Sequence, residues 1–423
     1  MLQLNILRTQ KDYVKERLQV KHYPDQAAVD NILKIDEERR RLQTENEDLL
    51  ARINQASKEI GKMMAAGNAG EAENRKSEVA AFNEASKRLS EQLTVLEQQQ
   101  FDELVKLPNL PNALVPEGKT PEDNLEVKRA IDIPELYEGA VPHWDLCTRY
   151  GLINFELGTK ITGAGFPVYV GKGARLQRAL INYFLDYNIA AGYTEYQPPH
   201  MVNEDSAFGT GQLPDKEGQM YHATVDNFYL IPTAEVPVTN IYRDEIIRES
   251  DLPIKMTAYT PCFRREAGSY GKDVRGLNRL HQFDKVEIVR FSTPEKSYEA
   301  LDEMVTHVET LIQSLGLPYR ILRLCGGDMS FASALTYDFE VYSAAQKRWL
   351  EVSSVSNFET FQTNRMKIRY KNAEGKTQLV HSLNGSSLAL PRIVACLLEN
   401  YQTADGIKVP AVLIPYLGMD LIN

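Results

Sequence analysis

The sequence predicts an α+β protein in two parts: an antiparallel helical coiled-coil hairpin over residues 1–108, then one mixed domain of strands and helices over 109–423. Three observations predict it. Two stretches of seven-residue apolar repeat flank a short break rich in glycine, prolines cluster at 108–111, and beyond them the composition turns to tyrosine, glycine and β-branched runs.

The hairpin follows from periodicity. Ile35, Leu42, Leu49, Ala56 and Met63 recur every seventh residue, and Ile53 and Ile60 lie four residues after Leu49 and Ala56. Arg39 and Asn46 occupy alternate seam positions, where polar groups weaken packing but select register. The pattern stops at Ala65-Ala66-Gly67-Asn68-Ala69-Gly70, whose glycines and asparagine suit a tight reversal. A second seam reads Val79, Phe82, Ser86, Leu89, Leu93 and Leu96, continues to Leu104, and ends before Pro108-Asn109-Leu110-Pro111. At 1.5 Å rise per residue each arm reaches about 50 to 60 Å. By itself such a hairpin serves equally as a spacer, a dimerisation element or, through Arg39-Arg40-Arg41, Lys58, Lys62, Arg75, Lys76, Lys87 and Arg88, a phosphate-contacting arm.

Composition excludes several classes. The 423 residues are 43% hydrophobic and 25% charged, and no apolar run approaches the roughly 20 residues of a membrane span. The N-terminus lacks a basic start and an uninterrupted apolar core, so no secretory signal is read and a cytoplasmic location is expected. Cys147, Cys262, Cys325 and Cys396 form no CxxC pair and the seven histidines no HExxH, so neither a disulfide framework nor structural zinc is expected. A net charge of −10 argues against bulk attraction to nucleic acid and leaves only local contacts.

In the second part the best helix runs from about Ala174 to Ala191, with Leu176, Leu180, Phe184 and Tyr187 on one face and Gly192 as its stop. Tyr193-Thr194-Glu195-Tyr196 reads as a strand ending at Pro198-Pro199. Gly163-Ala164-Gly165 and Gly171-Lys172-Gly173 are read as turns, because neither completes GxGxxG and no GxxxxGK[ST] occurs. Any nucleotide site is therefore of another kind.

Phe263-Arg264-Arg265-Glu266, a glycine-bearing loop through Ala267-Gly268-Ser269-Tyr270-Gly271, and Arg279-Leu280-His281-Gln282-Phe283-Asp284-Lys285-Val286-Glu287 resemble motif 2 of class II aminoacyl-tRNA synthetases. Strand alternation would place Arg264 with Glu266 on one face, and Phe283 with Glu287 on another. The helix through Pro198-Pro199 resembles motif 1, and Asn384-Gly385-Ser386-Ser387-Leu388-Ala389-Leu390-Pro391-Arg392 resembles motif 3. Three ordered motifs imply the class II fold, an antiparallel sheet flanked by helices, and a homodimer. Thr233-Ala234-Glu235-Val236-Pro237, Glu351-Val352-Ser353-Ser354-Val355-Ser356-Asn357 and Thr210-Gly211-Gln212-Leu213-Pro214 look like the seryl family.

That resemblance implies ATP-dependent attachment of serine to tRNA(Ser) through a seryl-adenylate, with selenocysteine tRNA as a second acceptor. Thr233, Ala234, Glu235, Arg264, Glu287 and Ser386 would surround serine. Arg264, Arg265, Glu266, Leu280, Phe283, Glu351, Val352, Ser353, Ser354 and Arg392 would hold ATP, with Arg264, Glu351 and Arg392 in the catalytic set. These residue types suit phosphoryl chemistry, since a guanidinium fork holds phosphate oxygens bidentately and an aromatic ring covers adenine. Glu351 and Ser354 would ligate Mg2+, which favours hard oxygen donors. Simple alternation pairs Glu351 with Ser353 rather than Ser354, so this ligand pair requires a bulge or strand end. The hairpin would hold the long variable arm of the tRNA.

Two places depart from the pattern: Ser387 and Pro391 stand where glycines are common, and Gly165-Phe166-Pro167 interrupts a segment usually reading Ser-Arg-Phe. Pro391 is compatible with a first helical turn, where its missing N–H has no partner anyway. Two other readings share these residues: an enzyme loading an activated amino acid onto a carrier protein, and a non-catalytic RNA-binding paralogue. The paralogue is expected to lose Arg264, Glu287, Glu351 or Arg392, and all four are present.

Overall fold

The computed structural model describes residues 1–215, 218–266 and 275–423. Chain contacts divide it into two units, residues 1–19 with 23–108 and residues 20–22 with 109–423.

In the first unit two short helices, Leu4–Thr9 and Lys11–Val20, precede helix α1 (Ala28–Ala65) and helix α2 (Ala69–Leu104). The pairs Asp36–Gln100, Asn46–Ser86 and Glu59–Arg75 run in opposite directions along the two helices, so the hairpin is antiparallel. Both heptad seams lie at its inner face: Leu42, Ala56, Ser86 and Leu104 are buried and the remaining seam residues half-buried. The reversal is tighter than the sequence suggested. It occupies Ala66, Gly67 and Asn68, with Gly67 at φ 83°, while Ala69 and Gly70 already belong to α2. Asn46 accepts the Ser86 hydroxyl at 2.6 Å, so the polar seam position is satisfied across the hairpin and marks its register. Most of the arm's arginines carry acidic partners, Arg41 with Glu38, Arg75 with Glu59 and Arg88 with Glu84.

The second unit is built on an eight-stranded sheet. Its strands are β1 (Leu125–Ala130), β2 (Thr194–Glu195), β3 (Ile254–Phe263), β4 (Gln282–Ser292), β5 (Tyr319–Arg323), β6 (Leu335–Ser343), β7 (Arg348–Glu359) and β8 (His381–Ala389), in the order β1-β5-β6-β7-β8-β4-β3-β2. Every pairing is antiparallel except β2 with β3. Helices α3 (His143–Arg149), α4 (Lys172–Ala190), α5 (Ser297–Ser314) and α6 (Leu390–Asn400) complete the part that concerns the site. Alternation along β4 sends Val286 and Ile288 into a core shared with Leu180 and Phe184 of α4, Val308 and Ile312 of α5, and Leu397 of α6. Phe283, Lys285 and Glu287 fall on the opposite side and line a cleft.

Several expectations change in detail. Helix α4 begins at Lys172, so Lys172 and Gly173 are its first turn rather than a loop. A Cβ on Gly173 would lie 2.0 Å from the Leu152 carbonyl oxygen, which explains the glycine by close backbone packing. The strand after α4 shrinks to Thr194–Glu195 at the sheet edge. Arg264 and Glu266 do not share a face through strand alternation: β3 ends at Phe263, and Glu266 turns out of extended backbone at φ 49°. Pro391 sits in the first turn of α6. The loop residues Ala267–Gly271 of the motif lie outside the described residues.

Candidate active site

A cleft of about 680 Å³ opens on the face formed by β4, β7 and β8, and its lining joins segments more than 150 residues apart. From β4 and the turn before it come Leu280, Phe283, Lys285 and Glu287; from β7, Glu351, Val352, Ser353 and Ser354; from β8 and α6, Ser386 and Arg392. Thr233, Glu235, Arg264 and Glu266 close the rim with the 210–215 segment. Of the residues assigned by resemblance, Ala234 and Arg265 do not line it. Ala234 is fully buried in an apolar cluster with Met256 and Ala258, and the Arg265 side chain is exposed.

One end is a buried polar nest. Lys285 Nζ lies 2.6 Å from Glu287 Oε2 and donates to Thr233 Oγ1 at 2.8 Å, with both charged side chains almost wholly buried. Ser386 Oγ reaches the same Glu287 oxygen at 3.5 Å. Glu235 opens a short helix, Glu235–Thr239, and accepts the Gln362 side-chain amide at 2.6 Å. Burial, with the nearby Glu287 charge, pushes the Glu235 carboxyl up to about 7. This nest holds acceptors that a small polar molecule bearing an ammonium and a hydroxyl would satisfy.

The other end is cationic. Arg264 packs over the Phe283 ring, 5.2 Å from its centroid, and donates to the Pro232 carbonyl at 3.3 Å. Glu266 pairs with Arg279. Arg392, in the first turn of α6, donates to the Glu351 carbonyl at 2.7 Å and to the Asn278 carbonyl at 3.1 Å.

The bulge that Glu351 and Ser354 required is present. Phe339 pairs with Ser353 but Glu340 pairs with Glu351, so Val352 is the extra residue on β7. Both Glu351 and Ser354 consequently line the cleft. Asp338, opposite Ser354, has a buried Oδ1 with no hydrogen-bond partner, and burial together with the Glu351 charge raises its carboxyl well above the usual range. An oxygen-rich corner in which a buried carboxyl oxygen has no hydrogen-bond partner fits a hard divalent cation.

Sequence reasoning missed Lys285, Asn384, Gln362 and Asn278. Lys285 lies within motif 2 and, at two residues from both Phe283 and Glu287, alternation alone could have found it. Gln362 comes from a separate short helix, Phe361–Met366, and no local pattern signals it.

Known proteins resemble this chain over its whole length. The serine–tRNA ligase of Salinibacter ruber is 51% identical over 426 residues, spanning 100% of this chain and 99% of the relative. The chain belongs to the seryl-tRNA synthetase family. The family models described as "Seryl-tRNA synthetase N-terminal domain" and "tRNA synthetase class II core domain (G, H, P, S and T)" match residues 1–111 and 220–401. A second relative, the serine–tRNA ligase of Chlorobaculum parvum, is 48% identical over 100% of both chains. The seryl-tRNA synthetase of Pyrococcus horikoshii, solved complexed with ATP, superposes with a TM-score of 0.93 at 31% identity, covering 100% of this chain and 99% of that one. As in other seryl-tRNA synthetases, the class II fold follows a helical N-terminal domain, and no described helix is long and apolar enough to cross a membrane.

Proposed function

We propose that this cleft activates serine with ATP and passes it to tRNA(Ser), with selenocysteine tRNA as a second acceptor. The observation that carries the reading is the Glu287–Lys285–Thr233–Ser386 nest lying in one cleft with Arg264 and Arg392. Glu235 and Glu287 receive the ammonium and hydroxyl of serine, and groups committed to a hydroxyl are left unpaired by alanine. The serine carboxylate attacks the ATP α-phosphorus in line, the bond to the bridging oxygen breaks, and pyrophosphate leaves. Arg264 steadies the transferring phosphoryl group, and Arg392 meets the γ-phosphate. Phe283 covers adenine, while Glu351 and Ser354 would hold Mg2+, which neutralises phosphate charge when bound. In the second step a terminal ribose hydroxyl of the tRNA attacks the acyl carbon and AMP departs.

The hairpin α1–α2 holds the long variable arm of the tRNA by shape and backbone rather than base sequence. Two copies of the chain form the working dimer, as the resemblance to motif 1 implies. The test is pyrophosphate exchange with each amino acid in turn, then tRNA charging in the same preparation. Serine-selective exchange with charging is expected. Exchange without charging would move the chain to the carrier-loading class, and no exchange would make it a binding paralogue.

A further inference from the structure

Helix α3 opens on His143, which is wholly buried against Glu399 of α6. One Glu399 oxygen accepts the His143 backbone N–H at 3.0 Å and the ring Nδ1 at 2.7 Å; the other accepts the Ser343 hydroxyl and the Ala345 N–H. Burial alone drives such a carboxyl toward its neutral form, but the hydrogen bonds, led by that of His143, hold it below the usual carboxylate range. On the far side of the ring, Nε2 accepts the Leu277 N–H at 2.9 Å. Nε2 thus faces Leu277 as the acceptor, and Nδ1 faces Glu399 as the donor.

The chain at Leu277 is the one returning to β4, and its path is fitted to this ring. Gly276 has φ 65°, and a Cβ there would lie 2.3 Å from His143 Nε2. Two residues on, the Asn278 amide donates to Gln346 Oε1 at 2.9 Å, while Gln346 donates back to Glu399 at 3.0 Å. The Asn278 carbonyl then accepts Arg392 Nε at 3.1 Å. None of His143, Gln346 and Glu399 lines the cleft, yet they hold the backbone that aims Arg392 into it. Apolar side chains would fill the same volume without desolvating a carboxylate, so the buried polar chain is explained by the backbone height it imposes.

We infer that His143, fixed by Glu399, is a positioning residue for the ATP half of the site, acting through Leu277 and Asn278 on Arg392. This rests on the reading that Arg392 meets the γ-phosphate. In His143→Asn the amide keeps a donor toward Glu399 but no longer reaches Leu277, whereas His143→Gln restores an acceptor near the Nε2 position. Gly276→Ala disturbs the same contact with every polar group retained. In pyrophosphate exchange with the full chain, H143N and G276A are expected to raise the ATP KM about tenfold, the serine KM staying within about twofold. H143Q recovers most of that loss. An unchanged ATP KM in both H143N and G276A overturns the inference, as do serine and ATP KM rising together or an H143Q no better than H143N. Should H143N not fold, G276A decides. Arg392→Ala separates the two readings: if it leaves the ATP KM unmoved, the role of Arg392 fails; if it raises the KM while H143N and G276A do not, only the inference fails.

Discussion

Glu235 and Lys285 are chemically ordinary residues made unusual by burial. A carboxyl near 7 is half protonated at neutral pH, and a protonated carboxyl attracts an ammonium less than a carboxylate does. Raising the pH from about 6 to about 8 ionises it, so the serine KM is expected to fall across that range, and Glu235→Gln to flatten the profile at a raised KM. A wild-type KM independent of pH contradicts the assignment. The same shift has a stability consequence of fixed sign: a carboxyl raised in the folded state costs stability as pH rises from its unfolded value, near 4, through about 7. Lys285 stands between Thr233 and Glu287 with almost no water-facing surface to relax into. Lys285→Met leaves the Glu287 carboxylate unpaired, and a loss of about 3 kcal/mol is expected in chemical denaturation, accompanied by a higher serine KM. At this scale the motif was legible and its charge state was not. Residue type announces a carboxylate, whereas the neighbours that shift it arrive from β4, β8 and a helix more than 100 residues away.

At the scale of elements, the hairpin is tied at its base by one acid. Asp36, with its side chain 1% exposed, accepts from Arg8, Arg39, Arg40 and Gln100. Burial opposes ionisation, but these donors, Arg8 first, win and lower its pKa to about 2. A folded value below the unfolded one near 3.9 contributes stability that is present above about pH 5 and lost as pH falls toward 2; the shift corresponds to about 2 kcal/mol. Asp36→Asn should therefore speed hydrogen exchange in α1 and α2 at neutral pH, with the difference closing near pH 2. The seven-residue repeats made both helices legible because a 3.5-residue apolar period has few other outcomes. The charged knot at Asp36 was not, since it unites positions 8, 36 and 100, which no local period connects. The bulge at Val352 shows the reverse case: bringing Glu351 and Ser354 to one side of a strand needs an irregularity, and β7 carries it, so that both line the cleft.

For the whole molecule, the linker residues Val20–His22 group with the second unit, and Lys21 donates to the Asn109, Phe331 and Ser333 carbonyls there. Removing everything before residue 109 would therefore strip three carbonyl contacts from the synthetase core. A cleaner test shortens the hairpin alone, joining α1 to α2 below Leu42 and Leu93 through a brief glycine turn. Serine-dependent exchange is expected to persist and tRNA charging to be lost. Retained charging would remove the arm from tRNA recognition.

The sequence by itself determined the helical hairpin and the ordered motifs, and those motifs named part of the lining of the cleft, because periodicity and spacing are local and survive without a fold. Only the tertiary structure decided which of those side chains meet. Strand order β7-β8-β4 brings Glu351, Ser386 and Glu287 to one face, and packing of α3 on α6 sets His143 behind the returning chain. Those are contacts across tens to hundreds of residues, selected by burial and by the hydrogen bonds that burial compels.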